Sequence, residues 1–429
     1  MFDNILFQKD TCTELKKDIL ENTLAPSMLI HGAALSGKTT LALELARVLT
    51  CRERDELGRW TCSCWSCRQQ RELSQNQVLV LGSSDFRTEI KVCRKYFDQA
   101  RENQLESKHL KILLLVWLRS LHKVLKRYDE ALWKDGKTKT DKERKARKVQ
   151  EEFVELLAKL RPGDIFGQKG TEETKKTMAQ SREIIFQDKK LLDKDLDRCQ
   201  ELADILIAAI PQGIPVQQIR QLQQWSYRTS ETCKVAILEN VDAMNQAASN
   251  AMLKLLEEPP HNCYFILTTR RKQGLLPTVL SRLRLFGLRE RSETEERKIV
   301  QKVFRTSGTE TLRELFLTGE QDFSQIQAEC ALFMQSLLEK RPFFMIKSSF
   351  DKLHLEAFLQ NLGLALQKEC IEQHRKAEGP LAEHNFFWYQ RFLQLGRKAI
   401  EQHKIYHDPA ILLLQNLYLE LLHEGSTEN

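Results

Sequence analysis

Apolar positions change their spacing twice along this chain. Residues 26–49, PSMLIHGAALSGKTTLALELARVL, give a short apolar run, a glycine-bounded loop, then apolar positions at helical spacing. A buried strand followed by an amphipathic helix is predicted there. QVLVLGSSDF supplies a second short strand. From about Arg87 to Leu206 the pattern becomes long-period and charge-rich, with little glycine or proline before Pro162. It predicts helices over Ile90–Asn103, Leu110–Ala131, Val149–Leu160 and Lys190–Ala209, joined at the centre by a strongly basic connection, WKDGKTKTDKERKARK. At Pro211 the strand–helix alternation resumes. IPVQQIRQLQQWSY reads as a helix, Val235–Leu238 as a strand, Ala247–Glu257 as a helix and Tyr264–Thr268 as a strand. Such alternation implies a parallel sheet covered by helices, so the middle segment reads as an insertion into one α/β domain. From Ser292 onward only helical patterns occur, ending in DPAILLLQNLYLELLHE, where Asp408 suits an N-cap and Pro409 the first helical position.

Length and composition narrow the class. At 429 residues the chain calls for two to four domains. Hydrophobic residues make up 41% and charged residues 29%, ordinary for a protein without membrane spans. The net charge of +7 permits contact with nucleic acid without demanding it. MFDNILFQKD lacks the pattern of an export signal, and the most apolar run, Ile112–Leu118, is far short of a membrane span. Four of the eleven cysteines cluster between Cys51 and Cys67. An odd count without an export signal favours reduced thiols and a metal over disulfides, and a cytoplasmic location.

Gly32-Ala33-Ala34-Leu35-Ser36-Gly37-Lys38-Thr39 satisfies every fixed position of a P-loop, between a predicted strand and a predicted helix. Gly32 and Gly37 let the backbone approach phosphates, with Ser36 and Thr40 beside them. Lys38 would neutralise β/γ-phosphate charge, and the Thr39 hydroxyl would ligate magnesium. The strand Val235–Leu238 is best placed to carry the second half of the site. It ends in Glu239, able to hold magnesium through a water, followed by Asn240 where a catalytic base is expected. An amide cannot take a proton from water. Asp242 either assists from two residues on or, with Asn240, caps the next helix.

Asn250–Pro260 (NAMLKLLEEPP), together with YFILTTR and LPTVLSRLRLF, resembles the AAA+ core of bacterial DNA polymerase III clamp-loader subunits, delta prime first and gamma/tau second. The resemblance covers residues 1–85 and 208–290 well and the C-terminal helices weakly. It implies an α/β AAA+ P-loop domain with helices on both faces of a parallel sheet. A helical insertion interrupts that domain, and a small helical lid and an all-α collar follow it. The expected boundaries are 1–85 and 208–290 for the core, 86–207 for the insertion, 291–342 for the lid and 343–425 for the collar.

The same resemblance places Thr268 and Thr269 at the sensor 1 position. Arg282, in Ser281-Arg282-Leu283, becomes the arginine that reaches a neighbouring subunit's ATP site. A permanently charged guanidinium suits the bridging of phosphate oxygens. Cys51, Cys62, Cys64 and Cys67 fall where the family carries a zinc module, with Trp60 and Trp65 to cover it. The spacing departs from the family: one residue, not two, separates Cys62 from Cys64. Arg313 stands in too poor a match to be given a sensor role.

The implied cofactors are ATP, magnesium and a structural zinc. The implied partners are the other clamp-loader subunits through the collar, the sliding clamp, and primed DNA via the complex. Asn240 favours a stator over an ATP-hydrolysing motor, whereas the intact P-loop favours nucleotide binding. An unrelated P-loop enzyme is the remaining alternative. The basic connection of the insertion is read either as a solvated linker or as a DNA contact.

Overall fold

The computed structural model describes residues 1–53, 58–133, 141–160, 189–230, 232–306, 308–318, 323–339, 355, 358–359, 361–363, 365–367, 381–406 and 409–424. The chain divides into two compact units, Met1–Arg313 and Glu314–Asn429.

The first unit is built on five parallel strands: β1 (Ser27–His31), β2 (Val78–Leu81), β3 (Lys234–Leu238), β4 (Cys263–Thr269) and β5 (Arg284–Gly287). Their spatial order is β2-β3-β4-β1-β5. Because both faces are covered, the inner strands are apolar throughout rather than alternating. The period of two then sorts their side chains between two cores. Leu29, Leu79, Leu81, Ala236, Leu238, Phe265 and Leu267 pack into one. Met28, Ile30, Val78, Val80, Val235, Ile237 and Ile266 pack into the other. The segments on either side of the insertion therefore close into one sheet. β5 was not legible in the sequence: it is an edge strand in which only Phe286 turns inward.

Around the sheet lie α1 (Lys9–Leu20), α2 (Lys38–Leu49) and the short α3 (Trp65–Arg71). The insertion contributes α4 (Phe86–Glu102), α5 (Ser107–Leu125), α6 (Asp141–Leu160) and α7 (Lys189–Ala209). Then come α8 (Val216–Ser226), α9 (Gln246–Glu257), the single turn α10 (Pro277–Leu280) and α11 (Glu293–Phe304). Much of the basic connection proves helical, since α6 begins at Asp141; residues 134–140 lie outside the described residues.

The insertion does not stand apart from the sheet. The predicted helix Leu110–Ala131 ends at Leu125 and gives way to a 3-10 turn, Lys126–Tyr128. There Lys126 Nζ donates to the carbonyls of Gln75 (2.7 Å) and Val78 (3.1 Å), covering the outer side of edge strand β2.

Three longer helices of the second unit are α13 (Phe323–Leu338), α14 (Leu381–Tyr406) and α15 (Ala410–Glu424); α12 (Leu312–Thr318) precedes them in sequence. Phe333 sits edge-on to both Phe358 and Tyr418 in this unit's core. Within α15, Leu413, Leu414, Leu417 and Leu421 are buried while Leu412 and Leu419 are exposed. α15 begins one residue after Pro409, and Asp408 lies outside the described residues. Among the described residues, no helix is long and apolar enough to cross a membrane.

Phe265 is fully buried on the central strand β4, so its packing bears directly on the sheet. Phe265→Ala is expected to lower the unfolding free energy by about 3–5 kcal/mol, measurable as a lowered urea midpoint at unchanged m-value.

Candidate nucleotide site and cysteine cluster

The P-loop follows β1, and α2 starts at Lys38, so the helix N-terminus faces the loop. Gly37 takes φ +98°, a left-handed conformation that favours glycine, and a Cβ there would lie 2.7 Å from Arg291 Nη2. Lys38 is buried, and its Nζ donates to the carbonyls of Gly32 (2.8 Å) and Ala33 (2.5 Å). Burial and the nearby Arg270 pull its pKa down to about 8. Arg291, from the segment before α11, donates to Leu35 O (2.5 Å) and Leu6 O (3.2 Å), bracing the loop from behind. Ser36 Oγ is buried without a protein partner, while Thr40 is exposed.

β4 lies between β1 and β3 and carries the two threonines at its carboxyl end, opposite Ile30 and His31. Thr268 Oγ1 accepts from the Asn240 amide N–H (3.4 Å). Thr269 Oγ1 donates to Asp242 Oδ1 (2.6 Å). Both threonines are buried, so the sheet brings the sensor candidates beside the second half of the site. Asn240 adopts a left-handed conformation and its Nδ2 donates to Ser83 O (2.6 Å). Asn240 stands at the N-cap position of the 3-10 turn Val241–Ala243, but its side chain makes no capping bond, and neither it nor Asp242 caps α9. The N-cap of α9 is Asn245, whose side chain accepts from Ala248 N (2.9 Å).

Glu239 is where sequence reasoning missed a residue. One carboxylate oxygen accepts from Thr39 Oγ1; the other forms an ion pair with Arg127 Nη2. Both partners of that pair are buried, at 2% and 4% side-chain exposure. Arg127 also donates from Nε to Gly82 O (2.9 Å) and from Nη1 to Lys123 O (3.1 Å), and its guanidinium lies 4.9 Å from the Phe86 ring centroid. Burial pulls the Arg127 pKa down while Glu239 opposes the shift. Gly82 is required at this junction: a Cβ on it would sit 2.3 Å from Glu239 O. The arrangement fits the magnesium expected from the sequence poorly: the Thr39 oxygen keeps its lone pairs for an ion, but the carboxylate that would help to hold it is already neutralised by a buried guanidinium.

The cysteines come together as the sequence predicts. The sulfurs of Cys51, Cys62, Cys64 and Cys67 are buried and lie within 4.8 Å of one another. Cys51 Sγ is 3.8 Å from Cys62 Sγ and 3.9 Å from Cys64 Sγ. Tetrahedral zinc with Zn–S bonds of about 2.3 Å places its sulfurs about 3.8 Å apart, so the donor set fits a metal. The short Cys62–Cys64 spacing is accommodated because Cys64 is the N-cap of α3 and its sulfur accepts from Cys67 N (3.4 Å). Hydrogen bonding from Cys67 draws the Cys51 thiol down to about 5, and burial pushes Cys62 up to about 12. Arg47, paired with Glu44 (2.7 Å), donates to Cys67 Sγ (3.1 Å). Trp60 stacks near Arg47 and Arg71, whereas Trp65 is exposed and faces Arg52, so only Trp60 covers the cluster.

Arg282 is about one-third exposed, at 34%, pairs with Glu257 (2.6 Å) and donates to Thr278 O (2.7 Å). Arg313 pairs with Glu290 (2.5 Å).

A parallel sheet with a phosphate loop after β1 and an acid after β3, continued by a helical C-terminal part, defines an AAA+ P-loop α/β protein. The family model described as "DNA polymerase III, delta subunit" matches residues 7–123 and 164–292, more than half of the chain. The chain belongs to that family and is delta-prime-like. It is 28% identical to the DNA polymerase III subunit delta' of Haemophilus influenzae over 180 residues, 37% of this chain and 52% of that one. The Bacillus subtilis delta' subunit is 27% identical over 169 residues, 36% and 51% of the two chains. The Yersinia pestis delta' subunit is 39% identical over 72 residues, 16% and 21%. This chain thus spans about half or less of the length of these relatives. A gamma-subunit-related protein from Thermotoga maritima, solved as a crystal structure, is 18% identical over 49% of this chain and 79% of its own, with a TM-score of 0.29. The family model passes over residues 124–163, the stretch that holds Arg127.

Lys38 and the deeply buried Lys126 are both drawn down to about 8. Lysine ¹³Cε NMR should show two side chains with midpoints near 8 instead of the ordinary value near 10.4. The P-loop one should vanish in Lys38→Met.

Proposed function

We propose that the chain is a stator-like clamp-loader subunit of the DNA polymerase III holoenzyme. It binds ATP at its P-loop, hydrolyses it little or not at all, and supplies Arg282 to the ATP site of a neighbouring subunit. Asn240 carries this reading. Where a base would take a proton from water stands an amide, turned into the protein and bonded to Ser83. The complete P-loop with Lys38 supports retained nucleotide binding.

Arg282 supports the trans-acting role through its position. Its partner Glu257 is 47% exposed, and an exposed ion pair is worth less than about 1 kcal/mol. A neighbour's phosphates can therefore displace the glutamate at small cost and receive a charge-assisted, bidentate contact. The Thr268 and Thr269 hydroxyls, between the two halves of the site, relate the state of the P-loop to Asn240 and Asp242.

Residues 343–425 serve as the oligomerising collar, and residues 291–342 as the lid. The partners are the other clamp-loader subunits, the sliding clamp and primed DNA, met in the cytoplasm. Zinc held by Cys51, Cys62, Cys64 and Cys67 fixes the loop between α2 and α3, a structural role.

In the reconstituted complex, Arg282→Ala should slow hydrolysis at the adjoining site by about 10³-fold, while filter binding of ATP to this chain stays unchanged. Unaltered ATPase in that complex would rule out the trans-acting role. ATP affinity of the isolated chain should fall as pH rises through about 8. The sign follows from Lys38: its ammonium is present below that pH and lost above it. Titrations in Lys38→Met should be flat across the same range. Metal analysis should return one zinc per chain, lost in Cys67→Ser.

A further inference from the structure

The surroundings of Glu239 carry an inference that rests on the nucleotide reading and deepens it. We infer that this P-loop takes its nucleotide without a divalent metal, because Arg127 of the insertion is the resident cation of the site. In an ordinary P-loop site the Ser/Thr hydroxyl binds magnesium, and the acid of the second strand helps to hold the ion. Here Thr39 Oγ1 donates to one oxygen of Glu239, which leaves the hydroxyl's lone pairs open, but Arg127 pairs with the other oxygen of that acid. The hydroxyl's proton faces the carboxylate, and that carboxylate's negative charge is matched by the guanidinium.

Arg127 is not a mobile surface side chain able to yield to an ion. It is anchored at three nitrogens: Nε on Gly82 O, Nη1 on Lys123 O and Nη2 on Glu239. The Phe86 ring lies against it. Its backbone is pinned in turn, because the adjacent Lys126 ammonium clamps two carbonyls beside β2. A divalent ion beside Thr39 would meet a carboxylate whose single charge Arg127 already balances, so it would bring uncompensated positive charge into a buried site.

Phosphate charge is instead faced by protein cations. Lys38 lies in the loop, and Arg270 follows β4 within electrostatic reach of it. The ligand class that fits is a metal-free nucleoside triphosphate or diphosphate. Such a ligand lacks the ion that neutralises charge on the γ-phosphoryl group during transfer. The nucleotide is thereby kept as a structural ligand, and Arg127 sets the site's preference for the metal-free form.

The test is equilibrium binding of radiolabelled ATP to the full chain in excess EDTA and in excess magnesium. Affinities equal within about twofold are expected. A loss of about tenfold or more in EDTA, some 1.4 kcal/mol, would overturn the metal-free site while leaving nucleotide binding intact. Binding in neither buffer would remove the nucleotide reading itself, and this inference with it. Manganese EPR supplies a second readout: with ATP and Mn²⁺ present, the wild-type chain should add no protein-bound manganese signal. Arg127→Met, checked for a cooperative thermal transition, should gain that signal and bind ATP more tightly with metal than without. Arg127→Lys, which keeps a cation, should remain indifferent to metal. A folded Arg127→Met chain still indifferent to metal would show that Arg127 does not exclude the ion.

Discussion

The buried carboxylate of Glu239 is the point through which the first unit is held together. It sits at the end of a strand laid down late in the sequence. One oxygen reaches Thr39 in the first half of the core, and the other reaches Arg127 in the insertion. A charge at 2% exposure is tolerable only with a partner in contact. That constraint fixes the insertion against β2 and positions Arg127 near the P-loop. Gly82 is bound by the same contact, since only a residue without Cβ can pass the backbone of Glu239 so closely.

From this contact follow the chemical limits of the nucleotide site. A hydrolytic P-loop needs a hydroxyl and an acid free for an ion, and a base free for water. In this chain the acid is paired with Arg127, and the amide after it is bonded to Ser83. What remains is a cationic loop at a helix N-terminus, suited to holding phosphates. Arg282 is one-third exposed and pairs with an exposed glutamate, Glu257.

The cysteine cluster shows the same dependence on close packing at a smaller scale. Its four sulfurs are brought together by α2 ending at Leu49, by a short loop, and by α3 capped by one of the cysteines. The buried Arg47–Glu44 pair underneath holds a guanidinium against Cys67. The guanidinium favours the Cys67 thiolate, the form that binds metal, against the contact with Cys51 and the burial that push that thiol up.

The sequence by itself determined the local elements and the motifs they carry. The apolar runs MLI, VLVL and VAIL became buried strands because a doubly covered parallel sheet requires continuous burial. The long-period stretch became helices close to the predicted ranges. The P-loop and the four cysteines were legible because their chemistry lies in short-range spacing. Only the tertiary structure decided what Glu239 touches. Arg127 lies 112 residues from Glu239 in sequence, inside a charge-rich segment where one arginine looks like the next. β5 was hidden for a related reason, since an edge strand with one buried residue leaves no periodic signal. Asn240 and Asp242 looked like helix caps because caps are read from neighbours in sequence. Their partners come from elsewhere in the fold, Ser83 from the loop after β2 and Thr269 from the end of β4. Local periodicity records which face of an element is buried; it does not record which distant charge is buried against it.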